Sequence, residues 1–255
     1  SFQSSAVSYL YYADRIYQIN LALAGIAVGT VSLPVLSKAF KQGNILNISN
    51  IQSRSIELCL LLSIPASIGL IVASEEIVNA LFGYGSFKFK DVEMTSYALK
   101  YFGYGIPAFA LIKILSNFFF ARNDTKTPFF ISSFIVILNI VISVTFFKEI
   151  GFIIIPIATS LSTWIGIVIY VFLLNSKNYL LIKNYLTKSI LKIIFSTVLM
   201  SFILIFALDH YSSYLEYTYK YKSVYLITIV CFVASVYLIS CYLTGLLKKK
   251  NFKTN

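Results

Sequence analysis

The chain has 255 residues, of which 58% are hydrophobic and only 12% are charged. A water-soluble domain carries about 25% charged residues, so this composition excludes a soluble globular protein. Apolar runs recur along the whole sequence, which predicts an all-α, polytopic membrane protein. The net charge of +11 lies mainly in the gaps between these runs, as in the loops of membrane proteins, and therefore does not indicate a protein that binds nucleic acid.

Seven segments are long and apolar enough to cross a bilayer, for which about 20 residues are needed. They lie at about 5–37, 56–82, 95–120, 127–147, 151–175, 188–208 and 222–247. The first segment is longer than one straight crossing requires, and Pro34 predicts a bend or an end near its C-terminal end. Pro65 predicts a kink in the second segment.

The connecting segments alternate in charge. Basic residues are concentrated in 38–54, 121–126, 176–192 and the C-terminal tail. The positive-inside rule places these four regions in the cytoplasm, which puts residue 1 outside. A protein with a cytoplasmic N-terminus would then need an odd number of preceding spans, so we expect the sequence to lack an N-terminal half.

Two charged neighbours, Asp14 and Arg15, lie about 15 Å of helix into the first segment, where a charge is costly. Gln18 lies one helical turn further along and can reach either of them. This cluster predicts the wall of a water-filled cavity, in which the forked guanidinium of Arg15 binds phosphate or carboxylate. A structural ion pair with another helix is the alternative. Lys113, in the third segment, either extends to the inner surface or joins this cavity.

Small and polar residues mark two further positions. Gly25 and Gly29 have GxxxG spacing, which favours close helix packing and is compatible with a hinge. Asn139, Ser143 and Thr159 lie in the fourth and fifth segments. Their oxygens suit either a small cation or hydrogen bonds between helices.

The sequence contains no signature of an enzyme. The single histidine, His210, lies in a connecting segment, and no metalloprotease, hydrolase or phosphate-loop motif is present. The three cysteines lie in apolar stretches without metal-binding spacing. We therefore expect neither catalysis nor a bound cofactor.

Three stretches occur in order along the chain: "YYADRIYQINLALAGIAVGTVSLPVLSKAF" at 11–40, "LFGYGSF" at 81–87 and "ARNDTKTP" at 121–128. They resemble a Tyr-Tyr-Ala-Asp-Arg sequence followed by a Gly-rich helix, an outer loop and a cytoplasmic turn of the MurJ (MviN) lipid II flippases, which belong to the MOP exporter superfamily. The resemblance covers about 5–175, whereas the last two segments match in hydrophobicity and position. It implies the second lobe of a fourteen-helix, two-lobed transporter.

The resemblance also implies a function. Lipid II, an undecaprenyl-pyrophosphate-linked disaccharide pentapeptide, would be flipped across the bacterial cytoplasmic membrane by alternating access. Residues 1–175 would form the transport core, and 176–255 the last two helices, which hold the lipid tail, with a basic cytoplasmic tail. The implied partners are lipid II, membrane lipids and the missing first lobe. Alternatives are an exporter of another oligosaccharide-lipid or a drug, and a truncated remnant that transports nothing.

The resemblance assigns roles to individual residues. Arg15 and Asp14 would line the substrate cavity, and Lys113 falls where members of the family often have lysine. Asn139 and Thr159 resemble ligands of a sodium site, although Ser143 stands where a carboxylate is expected. Sodium or the membrane potential would then drive transport.

Overall fold

The computed structural model describes residues 2–247, and all regular structure in this range is helical. The elements are α1 (Phe2–Leu21), a π-helical turn (Ala22–Ile26), α2 (Ala27–Lys41), α3 (Ile45–Val72), α4 (Ser74–Phe82), α5 (Phe89–Gly103), α6 (Ile106–Phe120), α7 (Lys126–Ile150), a 3₁₀ turn (Gly151–Ile153), α8 (Ile154–Ser176), α9 (Tyr185–His210), α10 (Ser212–Leu215) and α11 (Lys222–Leu243). Helices suit a bilayer because they pair every backbone polar group internally.

Six continuous segments in the described residues are long and apolar enough to cross a membrane. The fourth, Lys126–Ser176, is 51 residues long and consists of two antiparallel helices, α7 and α8. The chain reverses at Gly151, whose φ of +77° favours glycine. Asn139 and Thr159 then face each other across the hairpin. Counting its two helices separately gives seven crossings, which confirms the predicted number.

The predicted limits of the second segment, 56–82, are wrong at both ends. Helix α3 begins at Ile45, where the side chain of Asn44 caps it by accepting a hydrogen bond from the Asn47 amide at 3.0 Å. The expected connection 38–54 is therefore mostly helix. At the other end, α3 stops at Val72 and residues 74–82 form a separate helix. Hydropathy marks only the part of a helix that suits hydrocarbon, and α3 extends beyond that part at its N-terminal end.

The first segment departs from α-helical geometry at Ala22–Ile26 and not at Pro34. Helix α2 continues through Pro34 to Lys41, and α3 likewise continues through Pro65. A π-helical turn contains one residue more than an α-helical turn. The irregularity therefore inserts one residue into an otherwise continuous helix.

This extra residue aligns the buried faces of α1 and α2. Tyr17 is buried on α1 and Gly29 on α2, twelve residues further along. In an unbroken α-helix of 3.6 residues per turn, they would be about 120° apart around the axis. The π-helical turn removes about 100° of this difference, so that both faces pack against the same neighbouring helices.

We predict that deleting Ala22, an exposed residue at the start of the π-helical turn, converts the turn to α-helix and preserves the fold. Deleting the buried Ala13 should instead rotate all preceding residues by about 100° and remove Tyr9 from its partner Asp91. Gel filtration and thermal unfolding in detergent would measure the difference. Equal loss of folded protein in both deletions would contradict the alignment.

Candidate functional site

A stripe of polar side chains lies along one face of α1. Tyr11, Arg15 and Gln18 are exposed, and Asp14 is half-buried. The Arg15 Nη2 donates a hydrogen bond to Tyr11 Oη at 2.8 Å, and the guanidinium carbon lies 4.8 Å from the centre of the same ring. The Gln18 amide donates to the Asp14 carboxylate. The stripe is therefore organised by contacts one helical turn apart.

Arg15 has no carboxylate partner in the structure. Within 5–22 and 24–247, whose side chains are described, the ion pairs are Arg54–Glu57 and Lys177–Asp124. Asp14 accepts a hydrogen bond from Gln18 and forms no ion pair with the adjacent Arg15. The expected alternative, a structural ion pair between Arg15 and another helix, is not formed among these residues. The guanidinium retains a net positive charge and donors that face outwards.

The opposite face of α1 fixes this orientation. Tyr17 is buried between two aromatic rings, with ring centres 5.2 Å from Phe102 and 5.6 Å from Phe109. Tyr9 donates a hydrogen bond to the Asp91 carboxylate at 2.7 Å. These contacts hold α1 against α5 and α6. They set its rotation, and with it the direction in which Arg15 points.

Lys113 is exposed on α6 but lies far from Arg15 along the bundle. Its Cβ is 4.0 Å from the position that a Cβ on Gly29 would occupy. Gly29 follows Arg15 by fourteen residues, which corresponds to about 20 Å of helix. The structure therefore places two exposed cations at different depths, and it does not bring them together.

The two glycines of the GxxxG sequence lie at helix contacts. A Cβ on Gly25 would lie 3.1 Å from the backbone Cα of Ala110, and Asn117 Nδ2 donates to the Gly29 carbonyl at 2.8 Å. Gly25 meets Ala110 and Gly29 meets Asn117, so residue numbers increase in the same direction on both sides of the contact. The segment from the π-helical turn into α2 therefore runs parallel to α6. Pro34 is exposed on α2.

Asn139 and Thr159, the candidate cation ligands, bind each other. Asn139 Nδ2 donates to Thr159 Oγ1 at 2.9 Å, and Thr159 donates to the Ile155 carbonyl at 2.7 Å. The Ser143 hydroxyl is buried nearby along α7 without a hydrogen-bond partner. No group of three or more metal-ligating His, Cys, Asp or Glu side chains occurs in the described part of the chain.

An apolar cleft of about 450 Å³ lies beside the polar stripe. Ile16 and Asn20 of α1 form part of its wall, and Asn20 lies two residues beyond Gln18. The other walls come from α3, α9 and α11, and include Leu61, Pro65, Gly69, Met200, Leu204, Val230, Val233 and Tyr237. The predicted sixth and seventh segments, in α9 and α11, therefore contribute residues to its walls. The participation of α1 and α3 has no signal in the sequence.

Three other charged residues, Arg122, Asp124 and Lys177, bind other parts of the protein at the end of the bundle where α2 ends and α3 begins. The Arg122 guanidinium lies between the rings of Phe40 and Tyr179, and burial lowers its pKa to about 10. Burial opposes ionisation of Asp124, but hydrogen bonds from Thr127 and Lys177 outweigh it and lower the Asp124 pKa to about 2. Arg122 and Lys177 are therefore both engaged by protein contacts.

Glu57 on α3 is more deeply buried than its place in the sequence predicts. Its position at the inner edge of the second segment predicts a solvated side chain, but only 1% of the residue is exposed. Arg54 donates a hydrogen bond to it at 2.8 Å, one helical turn away. A carboxylate can be buried here because a cation accompanies it.

Comparison with solved structures defines the class of protein. A structure of the lipid II flippase MurJ in an inward closed conformation matches with a TM-score of 0.77 and 27% identity, over 93% of this chain and 47% of that one. A MOP superfamily transporter from Pyrococcus furiosus matches at a TM-score of 0.58 and 18% identity, which shows the fold alone. The chain is a multi-pass helical membrane protein with a MOP-transporter fold.

Sequence comparison then identifies the family. The family described as "Lipid II flippase MurJ" matches residues 1–225, and the chain belongs to this family. The probable lipid II flippase MurJ of Rickettsia prowazekii (strain Madrid E) is 37% identical over 86% of this chain. That of Rhizobium tropici is 32% identical over 95%. The chain spans 43% and 46% of the length of these two relatives.

We predict that Gly25→Ala destabilises the protein, because the new Cβ would meet the backbone of Ala110 at 3.1 Å. Gly69→Ala is the matched control, since no atom lies within 4 Å of a Cβ there. The control should be neutral or slightly stabilising because glycine is a poor helix former. Melting temperatures in detergent would test this, and equal values for the two variants would refute the close approach.

Proposed function

We propose that this chain forms one lobe of a lipid II flippase and helps to move lipid II across the bacterial cytoplasmic membrane. The observation that carries the proposal is the guanidinium of Arg15, which has no carboxylate within ion-pair distance among the described side chains and is exposed on a membrane-spanning helix beside an apolar cleft. The family membership supports the substrate. Because the chain spans less than half of its relatives, the complete activity requires the lobe that these relatives contain in addition.

The two chemical parts of lipid II, a pyrophosphate and a lipid tail, match the polar stripe on α1 and the apolar cleft. A pyrophosphate cannot cross hydrocarbon unaided, since burying an unpaired charge is very costly. A guanidinium offers paired donors to phosphate oxygens and remains charged at all physiological pH values. The apolar cleft suits the lipid tail, which gains nothing from leaving an apolar environment. No bond is made or broken, so transport needs no catalytic group.

Within this proposal, Arg15 contacts the pyrophosphate. Tyr11 orients the guanidinium, and Asp14 and Gln18 maintain a wet, polar surface beside it. Lys113, about 20 Å further along the bundle, is a second contact for the anion during its passage. Exposed cations at two depths suit a cavity that opens alternately to the two sides of the membrane.

The distribution of charge supports an orientation with the C-terminus in the cytoplasm. Contacts among Phe40, Arg122 and Tyr179 bring the ends of α2, α6 and α8 to the same end of the bundle. The basic segments 38–54, 121–126 and 176–192 therefore share one side, as the positive-inside rule requires of the cytoplasmic side. Lys192 Nζ donates to the Thr244 carbonyl at 2.7 Å, which places the end of α11 on the same side. The start of α1 then lies outside.

Sodium or the membrane potential is the proposed driving force. Asn139 and Thr159 are the candidate sodium ligands, supported by the direct contact of their side chains across the hairpin. Ligation would require the Asn139 side chain to turn its carbonyl oxygen towards the ion, because its Nδ2 now donates to the Thr159 hydroxyl.

We predict that Arg15→Ala abolishes growth in a complementation assay. The chain would be co-expressed with the first half of the Rickettsia prowazekii relative in a bacterium depleted of its own flippase. Arg15→Lys should retain partial activity, because it keeps the charge and loses the fork. Lys126→Ala, which removes an exposed cation at the inner end of α7, is the matched control and should grow normally.

The outcomes separate the alternatives. Normal growth of Arg15→Ala at equal expression would contradict the proposed role of Arg15. If the two polypeptides co-purify but leave lipid II accumulated in the inner leaflet of the depleted host, export of another oligosaccharide-lipid or a drug is favoured. If the two polypeptides neither co-purify nor restore growth, a chain that does not transport is favoured.

A further inference from the structure

Another cation, Lys222, is buried at the start of α11. It has no acid partner among the described side chains. Only 1% of the residue is exposed. Its Nζ donates hydrogen bonds to Asn79 Oδ1 at 2.8 Å, the Gly83 carbonyl at 2.6 Å and the Tyr217 carbonyl at 2.7 Å. An ammonium has three donors, so all are used.

Two aromatic rings complete the surroundings of this ammonium. The Nζ lies 4.4 Å from the ring centre of Tyr84 and 4.7 Å from that of Tyr217. No carboxylate lies within ion-pair distance of it among the described side chains. Carbonyl dipoles and the negative faces of the rings therefore stabilise the charge in place of an anion.

The 81–87 loop, "LFGYGSF", includes the last two residues of α4, and it has the shape that this contact requires. A Cβ on Gly83 would lie 2.3 Å from Asn79 Oδ1 and 3.0 Å from Lys222 Nζ, so a side chain at this position would displace the ammonium. Tyr84 and Ser223 share a hydrogen bond at 2.6 Å, and Ser223 donates to the Ala80 carbonyl at 2.7 Å. The loop and the start of α11 thus form one interlocked unit.

The contact acts at one end of a helix that lines the apolar cleft. Val230 and Val233 of α11 face the cleft, and Val230 lies about 12 Å of helix from Lys222. Towards the other end, α11 is held by a hydrogen bond between Ser240 and Ser196 at 2.9 Å. The two ends of this cleft wall therefore have separate attachments.

We propose that Lys222 is a positioning residue that clamps the outer end of α11 onto α4 and the 81–87 loop, and so sets the width of the apolar cleft at that end. Its role in transport rests on the proposed function, because the cleft matters there as the path of the lipid tail. The clamp itself is a property of this chain and can be measured without transport.

The test uses two cysteine pairs in a chain whose native cysteines are replaced by alanine or serine. The outer pair is Ala80→Cys with Ser223→Cys, and the inner pair is Ser196→Cys with Ser240→Cys. Each pair is cross-linked in detergent with a short thiol-reactive linker. We expect Lys222→Met to lower cross-linking of the outer pair at least about tenfold, because each of the three charge-assisted hydrogen bonds that it removes is worth about that factor, and to leave the inner pair unchanged.

Lys220→Met is the matched control, because this nearby lysine is exposed and its Nζ lies 5.8 Å from the ring centre of Tyr221. It should leave both pairs unchanged. Unchanged cross-linking of the outer pair in Lys222→Met would overturn the clamp. Equal loss at both pairs would also overturn it, because that result shows general destabilisation.

Growth in the complementation assay tests the proposed role of Lys222 in transport. Lys222→Met should slow growth, and normal growth with reduced outer cross-linking would overturn a role for the clamp in transport. The proposed function fails differently: if Arg15→Ala grows normally while outer cross-linking still depends on Lys222, the flippase role of Arg15 is refuted and the clamp stands.

Discussion

Helices that meet inside a bilayer gain little from the hydrophobic effect, because the lipid is as apolar as their own side chains. Here the contacts depend on close approach and on side chains that donate hydrogen bonds to the backbone of another helix. Asn117 donates to Gly29, Ser67 to Gly103 at 2.8 Å, and Tyr237 to Leu61 at 2.7 Å. Because these contacts fix the rotation of each helix, they also determine which side chains face outwards, and Arg15 depends on them.

The cations of this chain fall into two groups with different surroundings. Lys222 and Arg122 are packed against aromatic rings and donate to backbone carbonyls, so their charges fasten connecting loops to the ends of helices. Arg15 and Lys113 are exposed on helices that cross the membrane, and neither has an acid partner in the described residues. This contrast distinguishes cations that stabilise the fold from cations that are free to meet an anionic ligand.

Predictions from the sequence are correct for properties that depend on single residues or short segments. Seven crossings follow from the cost of exposing backbone and charge to hydrocarbon, and the fold confirms them. The limits of the second segment were wrong because α3 extends beyond the apolar run. Glu57 was expected in solvent, and it is buried because α3 places Arg54 one turn away. Local composition does not report such pairings.

The amino-acid sequence was sufficient for the all-helical class, the number of crossings and the presence of a costly charge at Arg15, because each depends on the transfer of single residues or short runs into hydrocarbon. The cleft, the clamp at Lys222 and the separation of Lys113 from Arg15 depend on distances between residues far apart in the chain. The π-helical turn at Ala22–Ile26 shows why these required the folded chain: one extra residue rotates half of a helix by about 100°, and packing against neighbouring helices selects that rotation.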